Sequence, residues 1–243
     1  PLEAPRTGGK CAIVASPFER AEKFSMAGAD LRLDRNRQMS DLEYFYSAHS
    51  AFAYLGSARL MAIATAADAT IVHKPVDLVR VMIESGAGST RERGDRHRDY
   101  YFGREIERWA EWRSAPVVTG MPTHHYNDKT LCNGMLIAGI QRGHNVDQLA
   151  HRMLEAHWRD DADLADLETL TRLANEVDLD PIPLLDAALS PESTAVYLAN
   201  TQEAIVRSVF GSPTYFVDGD MFYGQDHLEF VERALKQPFA GIW

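Results

Sequence analysis

The feature that most constrains the fold lies near the C-terminus, where a proline stands at the entrance of an apolar strand. Residues 211–226 read GSPTYFVDGDMFYGQD. Proline cannot donate a ladder hydrogen bond, so Pro213 fits only the start of a strand, where X-Pro bonds are often cis. The Asp218-Gly219 pair predicts a tight turn between two short strands. The segment therefore predicts a β-hairpin, followed by a helix that Asp226 caps.

A second ordered pattern opens at residue 42 and predicts a strand, a helix and another strand. The run Leu42–Tyr46 is rich in aromatic residues, 52–66 has helical spacing, and 69–74 is a second strand closed by Pro75. A strand, a helix and a strand within about 35 residues form a βαβ unit, so the two strands should lie parallel.

The middle of the chain reads as mostly helical. A polar loop is expected over 84–99 and an extended segment over 117–123. The sequences Asp180-Pro181 and Ser190-Pro191 place a capping residue before a proline at the first helical position. Helical spacing or these caps predict helices over 100–112, 130–142, 146–154, 164–177, from 181, and 191–208.

Charge and composition exclude several classes of function. The net charge of -10 argues against nucleic-acid and anionic-membrane partners. No apolar run reaches the roughly 18 residues of a membrane span, and no signal peptide is recognisable. The expectation is a cytoplasmic protein with no membrane partner. Residues 1–40, which include a possible strand over 11–15, are interpreted as an N-terminal extension.

Cysteines and histidines offer no redox pair and no metal site. The two cysteines, Cys11 and Cys132, form no CxxC, and a disulfide between them is not expected. Nine histidines are present, but the pair His124-His125 and the residues His151 and His157 match no ligand motif. No metal is therefore predicted.

Ser50 is the candidate catalytic residue because it stands just before the first helix of the βαβ unit. A helix N-terminus carries unsatisfied N–H groups and roughly half a positive charge, which suits an anion or a thiolate. Where disulfide oxidoreductases of the thioredoxin fold have CxxC, this chain has Ser50-Ala51-Phe52-Ala53. A serine there can donate a hydrogen bond to a thiolate that arrives from outside, which favours the charged form. The alternative is that Ser50 is simply the N-cap.

The two segments together resemble the 2-hydroxychromene-2-carboxylate isomerases, bacterial relatives of the kappa-class glutathione transferases in the DsbA-like group. The resemblance covers roughly residues 41–237. It implies an α/β chain with a discontinuous thioredoxin-like domain, formed by 41–76 and 195–243 and interrupted by an all-helical insertion over 77–194.

The resemblance also implies glutathione as cofactor and assigns residues to it. Ser50 matches the residue that contacts the glutathione sulfur, although Ala51 stands where the family usually has proline. Ser212, just before Pro213, matches the residue whose backbone pairs with the cysteinyl part. Matches to the segment that holds the γ-glutamyl end are Gln225 and Asp226; for Asp226, plain capping remains the alternative.

Candidates for substrate binding are weaker. Their common property is a position in or near segments that match the family, and solvated surface groups remain the alternative. They are His49, Lys74, Arg98, Asn127 and Asn133.

The predicted function is a glutathione-dependent cis–trans isomerase acting on 2-hydroxychromene-2-carboxylate or a related intermediate of aromatic catabolism. Its partners would be glutathione and a small aromatic carboxylate, and the resemblance implies a homodimer. Two alternatives remain open: a kappa-like transferase that conjugates glutathione to electrophiles, and a thioredoxin-like binding protein without catalysis. The fold alone does not distinguish them, because one fold hosts many functions.

Overall fold

The computed structural model of the chain describes residues 41–88 and 93–241. The predicted extension and its strand over 11–15 lie outside these residues. No helix within them is both long and apolar enough to cross a membrane. The elements, in chain order, are β1 (Asp41–Tyr46), α1 (Ala51–Ala67), β2 (Thr70–Pro75), α2 (Leu78–Glu84), α3 (Asp95–Arg98), a π-helical segment (Asp99–Arg104), α4 (Glu105–Arg113), α5 (Thr130–Gln141), α6 (Asp147–Arg159), α7 (Leu167–Asn175), α8 (Pro181–Ala188), α9 (Pro191–Val206), β3 (Thr214–Val217), β4 (Asp220–Tyr223), a 3-10 helix (Gln225–His227) and α10 (Leu228–Lys236).

A four-stranded mixed sheet in the order β2-β1-β3-β4 organises the fold. Strands β1 and β2 are parallel, as the βαβ pattern predicts, and Tyr44 lies opposite His73. Strand β3 runs antiparallel to β1, with Tyr44 opposite Tyr215, and β4 completes the predicted hairpin. The α/β thioredoxin-like fold predicted from the two motifs is confirmed. The division between 41–76, 77–194 and 195–243 stays a prediction.

Side chains alternate between the two faces of the sheet, and a hydrophobic core lies on each face. Tyr44 and Tyr215 belong to the larger core, which includes Leu55 of α1 and Leu228 of α10. The neighbouring Phe45 points to the other face. Successive side chains of a strand point to opposite faces, so a strand apolar at every position is buried on both sides. That second face packs against α2 and α9 through residues Val81, Ala204, Val209 and Phe216.

Helices α5 to α8 extend the larger core beyond the sheet. Met135 of α5 and Trp158 of α6 are almost completely buried in it. The Trp158 indole Nε1–H donates to the carbonyl of His49, 2.8 Å away. Trp158 therefore fixes α6 to the loop between β1 and α1, the loop on which the candidate site depends.

The segment predicted as extended over 117–123 belongs to no strand or helix; Val118 donates one backbone hydrogen bond to the carbonyl of Trp158, at 2.7 Å, and the segment otherwise follows the surface. The predicted cap of the last helix was wrong. Asp226 does not cap the last helix. It lies inside the 3-10 helix Gln225–His227, and neither that helix nor α10 has a side-chain cap. The turn begins two residues earlier than the cap pattern suggested, because Gly224 supplies a positive φ of 93° there.

Candidate functional site

The Ser50 hydroxyl joins the two motifs that the sequence singled out. Its oxygen accepts the backbone N–H of Ala53 at 3.3 Å, so Ser50 is the N-cap of α1. The same hydroxyl donates to the carbonyl of Ser212, 3.1 Å away, in the segment that leads into the neighbouring strand β3. Ser50 is only 7% exposed. Capping and a role in the site are therefore compatible.

The segment before β3 has the predicted geometry. The Ser212–Pro213 bond is cis, and the Ser212 carbonyl faces the start of α1, where it accepts from Ser50. The Ser212 hydroxyl accepts the N–H of Ser47 at 3.4 Å, and the Pro213 carbonyl accepts the N–H of Gly224 at 2.9 Å. These bonds hold Ser212 between the β1–α1 loop and the end of β4.

Asn133 of α5 holds the β1–α1 loop in place through side-chain hydrogen bonds. Its Oδ1 accepts the N–H of Ala48 at 3.0 Å, and its Nδ2 donates to the Ser47 hydroxyl at 3.2 Å and to the Tyr197 hydroxyl at 3.3 Å. Asn133 is completely buried and does not line the cavity beside Ser50 and Ser212. Its contacts are those of a residue that positions the loop, and direct substrate binding by it stays a prediction.

A cavity of about 410 Å³ opens beside Ser50 and Ser212. Its volume suits a small organic ligand, and its walls combine aromatic side chains with a few polar groups. Among the polar groups are Arg93 and Arg98, and Arg98 pairs with Asp95. The aromatic walls are Phe52, Tyr101, Phe102, Trp158, Phe210 and Tyr223.

Three histidines follow one another from the cavity into the core. The rings of His49 and His125, both at the cavity, have centroids 5.0 Å apart. Behind them, His125 Nδ1 and His157 Nε2 are 3.1 Å apart. Burial lowers the pKa of His125 to about 3 and the pKa of His157 to about 4. Burial also holds the pKa of His49 well below its usual range, and His125 makes a smaller contribution to that shift. All three imidazoles are therefore neutral at physiological pH.

We expect the ring signals of His125 and His157 to stay unchanged in an NMR titration from pH 8 to pH 5. Their folded pKa values lie below the unfolded value of about 6.5, so the unfolded state binds protons first as the pH falls. The free energy of unfolding should accordingly decrease below about pH 6.5. A ring signal of His125 or His157 that titrates near pH 6.5 would contradict this.

Two predicted substrate residues lie away from the cavity. The Lys74 ammonium contacts Glu43 at 2.7 Å and Glu203 at 2.6 Å, on the face of the sheet that carries Phe45. Asn127 donates to Asp163 at 2.8 Å. By contrast, His49 and Arg98 line the cavity. Substrate binding by Lys74 and Asn127 stays a prediction that the geometry of the isolated chain does not favour.

The two residues assigned to the γ-glutamyl end follow β4, just beyond the cavity-lining Tyr223. Gln225 is buried, its Oε1 accepts from the Arg113 guanidinium at 3.1 Å, and its Nε2 has no partner among the described residues. Asp226 is half exposed, next to His227. A buried amide without an acceptor is costly, but Gln225 does not line the cavity, so glutathione binding by Gln225 and Asp226 stays a prediction.

The described cysteine is unsuited to thiol chemistry. Cys132 is completely buried in α5, its Sγ donates to the carbonyl of Lys129, and burial raises the pKa of its thiol to about 12. The thiolate is the nucleophilic form, so Cys132 is inert at neutral pH. Within 41–88 and 93–241, no group of three or more metal-ligating side chains is found.

Sequence reasoning missed His125, Arg93 and Tyr223 as cavity residues. His125 was considered only as a metal ligand, in a segment without helical or strand periodicity. A residue in such a loop reaches the site through tertiary packing, here against His157 and Trp158. Only the doubled histidine at 124–125 could have drawn attention to this segment.

Comparison with known proteins decides the family. A family model described as a DSBA-like thioredoxin domain matches residues 41–236. The chain belongs to the DSBA-like thioredoxin family. The matched range nearly coincides with residues 41–237, over which the sequence shows the resemblance.

Curated relatives of this DSBA-like chain carry a more specific name. It is 30% identical over 195 residues to a 2-hydroxychromene-2-carboxylate isomerase of Pseudomonas sp. (strain C18), covering 80% of this chain and 89% of that protein. A protein of the same name from Pseudomonas putida is 28% identical, with 80% of this chain and 93% of that protein covered. These relatives support an isomerase.

Solved structures agree on the fold of the DSBA-like chain. A 2-hydroxychromene-2-carboxylate isomerase superposes with a TM-score of 0.67 at 23% identity, covering 81% of this chain and 95% of that one. The cytosolic disulfide reductase DsbM of Pseudomonas aeruginosa superposes with a TM-score of 0.55 at 18% identity, covering 82% and 93%. Unlike a CxxC protein, the DSBA-like chain has serine at the start of α1.

Proposed function

We propose that this protein is a glutathione-dependent cis–trans isomerase of 2-hydroxychromene-2-carboxylate or a closely related aromatic carboxylate. The observation that carries the proposal is the Ser50 hydroxyl, which caps α1, contacts the Ser212 carbonyl and borders the cavity. The curated relatives named as isomerases of that compound support the reaction class. Glutathione is proposed because the family that the sequence resembles uses it, and the position of Ser50 beside Ser212 and the cavity supports the proposal.

The residues around Ser50 fit the thiol end of glutathione. The start of α1 has backbone N–H groups without partners inside the helix, and its dipole favours an anion. Ser212 precedes a cis proline with its carbonyl turned to the site. A peptide ligand can pair with such a backbone as an added strand. Ser212 and Pro213 would then hold the cysteinyl part, and, as the resemblance implies, Gln225 and Asp226 would hold the γ-glutamyl end.

Ser50 has one hydroxyl proton, which it currently gives to the Ser212 carbonyl. If a ligand amide donates to that carbonyl instead, Ser50 can turn its proton toward the sulfur while its oxygen still accepts from Ala53. A hydrogen bond to the charged form lowers a thiol's pKa. Ser50 thereby stabilises a thiolate without losing its role as a helix cap.

The rest of the cavity suits an aromatic carboxylate. Phe52 and Tyr101 have ring centroids 4.8 Å apart and form one wall. Arg93 and Arg98 supply positive charge, and a guanidinium can bind a carboxylate through two hydrogen bonds. Bound glutathione would supply a nucleophilic thiolate, whose reversible addition to a conjugated carbon allows rotation about a former double bond.

The experiment that tests this function measures binding, turnover and the fate of glutathione together. We expect calorimetry to show glutathione binding, and 2-hydroxychromene-2-carboxylate to isomerise only when glutathione is present, at a constant glutathione concentration. Loss of glutathione in proportion to product would instead indicate a transferase. Absence of glutathione binding would indicate the binding-protein alternative.

A further inference from the structure

The two histidines at the cavity are locked in complementary tautomers. The argument begins at His157, whose Nδ1 lies 3.0 Å from the carbonyl of Ala162. A carbonyl only accepts, so Nδ1 carries the proton and the neutral ring has a free electron pair on Nε2. His125 must then donate from Nδ1 to that Nε2, at 3.1 Å. The remaining nitrogen of His125, Nε2, is left as an unprotonated acceptor.

The opposite tautomer follows for His49. The N–H of Ala48 can only donate, so the Asn133 atom that it contacts is the amide oxygen and Nδ2 is the donor to Ser47. The Ser47 hydroxyl, which is 1% exposed, therefore accepts from Asn133 and gives its own proton to His49 Nδ1, at 2.8 Å. His49 consequently carries its proton on Nε2 and presents a donor.

Neither Nε2 has a hydrogen-bond partner among the described residues, and both rings line the cavity. The pair therefore offers one donor and one acceptor with no charge. A carboxylate has no proton for His125, and an ammonium group has no electron pair for His49. A hydroxyl group satisfies both. The ring centroids lie only 5.0 Å apart, so the two rings border the same part of the cavity.

We propose that His49 and His125 together bind one hydroxyl group of the substrate, His49 donating from Nε2 and His125 accepting at Nε2. This inference rests on the proposed function for its substrate, and it assigns the residues that select a hydroxylated aromatic acid over its deoxy counterpart. His157 and Ser47 act as positioning residues, because each fixes the tautomer of a ring at the cavity. Arg93 and Arg98, which line the same cavity, would bind the carboxylate.

The proposal is tested with a matched pair of probes, 2-hydroxycinnamate and cinnamate, which differ by one hydroxyl group. We expect the wild-type protein to bind 2-hydroxycinnamate about tenfold more tightly in calorimetry. The variants His125→Phe and His49→Leu should bind both probes with nearly equal affinity. His124→Phe is the control; its ring contacts Asp163 outside the cavity, and it should keep the tenfold preference. Equal binding of the two probes by wild type would overturn the proposal, and so would a preference that survives in His125→Phe.

A second measurement needs no variant and no activity. Nitrogen-15 NMR of the histidine rings should show His125 protonated at Nδ1 and His49 protonated at Nε2 in the free protein. The reverse tautomer in either ring would overturn the proposal even if the variants fail to fold. Both measurements omit glutathione, so a failure of the glutathione-dependent isomerase leaves a separate signature: no glutathione binding, with the probe preference intact.

Discussion

Replacing Ser50 by alanine is expected to lower kcat/KM for the isomerisation about a hundredfold, the usual loss when one donor to a reacting anion is removed. The physical reason is that the Ser50 hydroxyl is the side-chain donor at the start of α1 that can reach a sulfur beside Ser212. Steady-state kinetics at neutral pH with saturating glutathione measure the effect. Unchanged turnover would refute a role for Ser50 in stabilising a thiolate.

The control must separate chemistry from capping, because Ser50→Ala also removes the N-cap, at a cost of about 1 kcal/mol of stability. Ser50→Gly also removes the hydroxyl and its bond to the Ser212 carbonyl, but as an N-cap glycine costs only a few tenths of a kcal/mol. It should therefore lose the same activity with a smaller fall in melting temperature than Ser50→Ala. Ser57→Ala removes another buried hydroxyl of α1, one that bonds to Tyr54 and His151. Ser57 lies outside the cavity lining, and this variant should keep its kcat/KM.

The largest effect on stability is expected at Gly134 of α5. A Cβ at this position would lie 2.1 Å from the carbonyl oxygen of Ala188, at the end of α8. The oxygen belongs to the backbone, so it cannot move without shifting a helix. Alanine gains about 1 kcal/mol over glycine in a helix, but overpacking of this severity costs more. We expect Gly134→Ala to lower the free energy of unfolding by about 2 kcal/mol net, measured by denaturant unfolding.

Gly139, one and a half turns further along α5, provides the comparison. A Cβ there would lie 2.8 Å from a methyl carbon of Val146, a side-chain atom. A side chain yields more readily than a backbone carbonyl, so Gly139→Ala should cost clearly less than Gly134→Ala. Equal effects, or a Gly134→Ala protein as stable as wild type, would contradict the close approach of α5 and α8.

The fold was predictable because its two sequence motifs act locally. Pro213 and the Asp218-Gly219 turn constrain backbone dihedral angles, and the βαβ pattern over 42–74 constrains pairing. The predicted hairpin forms from β3 and β4, joined at Asp218-Gly219. The predicted cap at Asp226 was wrong because Gly224 has a positive φ, so the helical turn begins two residues nearer the N-terminus. A capping pattern in the sequence does not reveal that backbone angle.

The site was predictable only in part. Ser50 and Ser212 were found because each stands next to a recognisable local signal, a helix start and a cis proline. His125 and Arg93 come from segments without periodicity, and their places depend on contacts between distant elements, such as the packing of His125 against α6. Lys74 was chosen because the segment at the end of β2 resembles the family, but side chains alternate along a strand, and Lys74 lies on the face that carries Phe45, outside the cavity lining.

The most direct test of the account is the pKa of the glutathione thiol when bound to this protein. It is obtained from the ultraviolet absorbance of the thiolate as a function of pH, in the wild-type protein and in Ser50→Gly. We predict a bound thiol with a pKa of about 6.5, below the ~8.5 of a free thiol, and a return toward the free value in the variant. The same thiol pKa in both proteins would contradict the claim that Ser50 keeps the sulfur ionised.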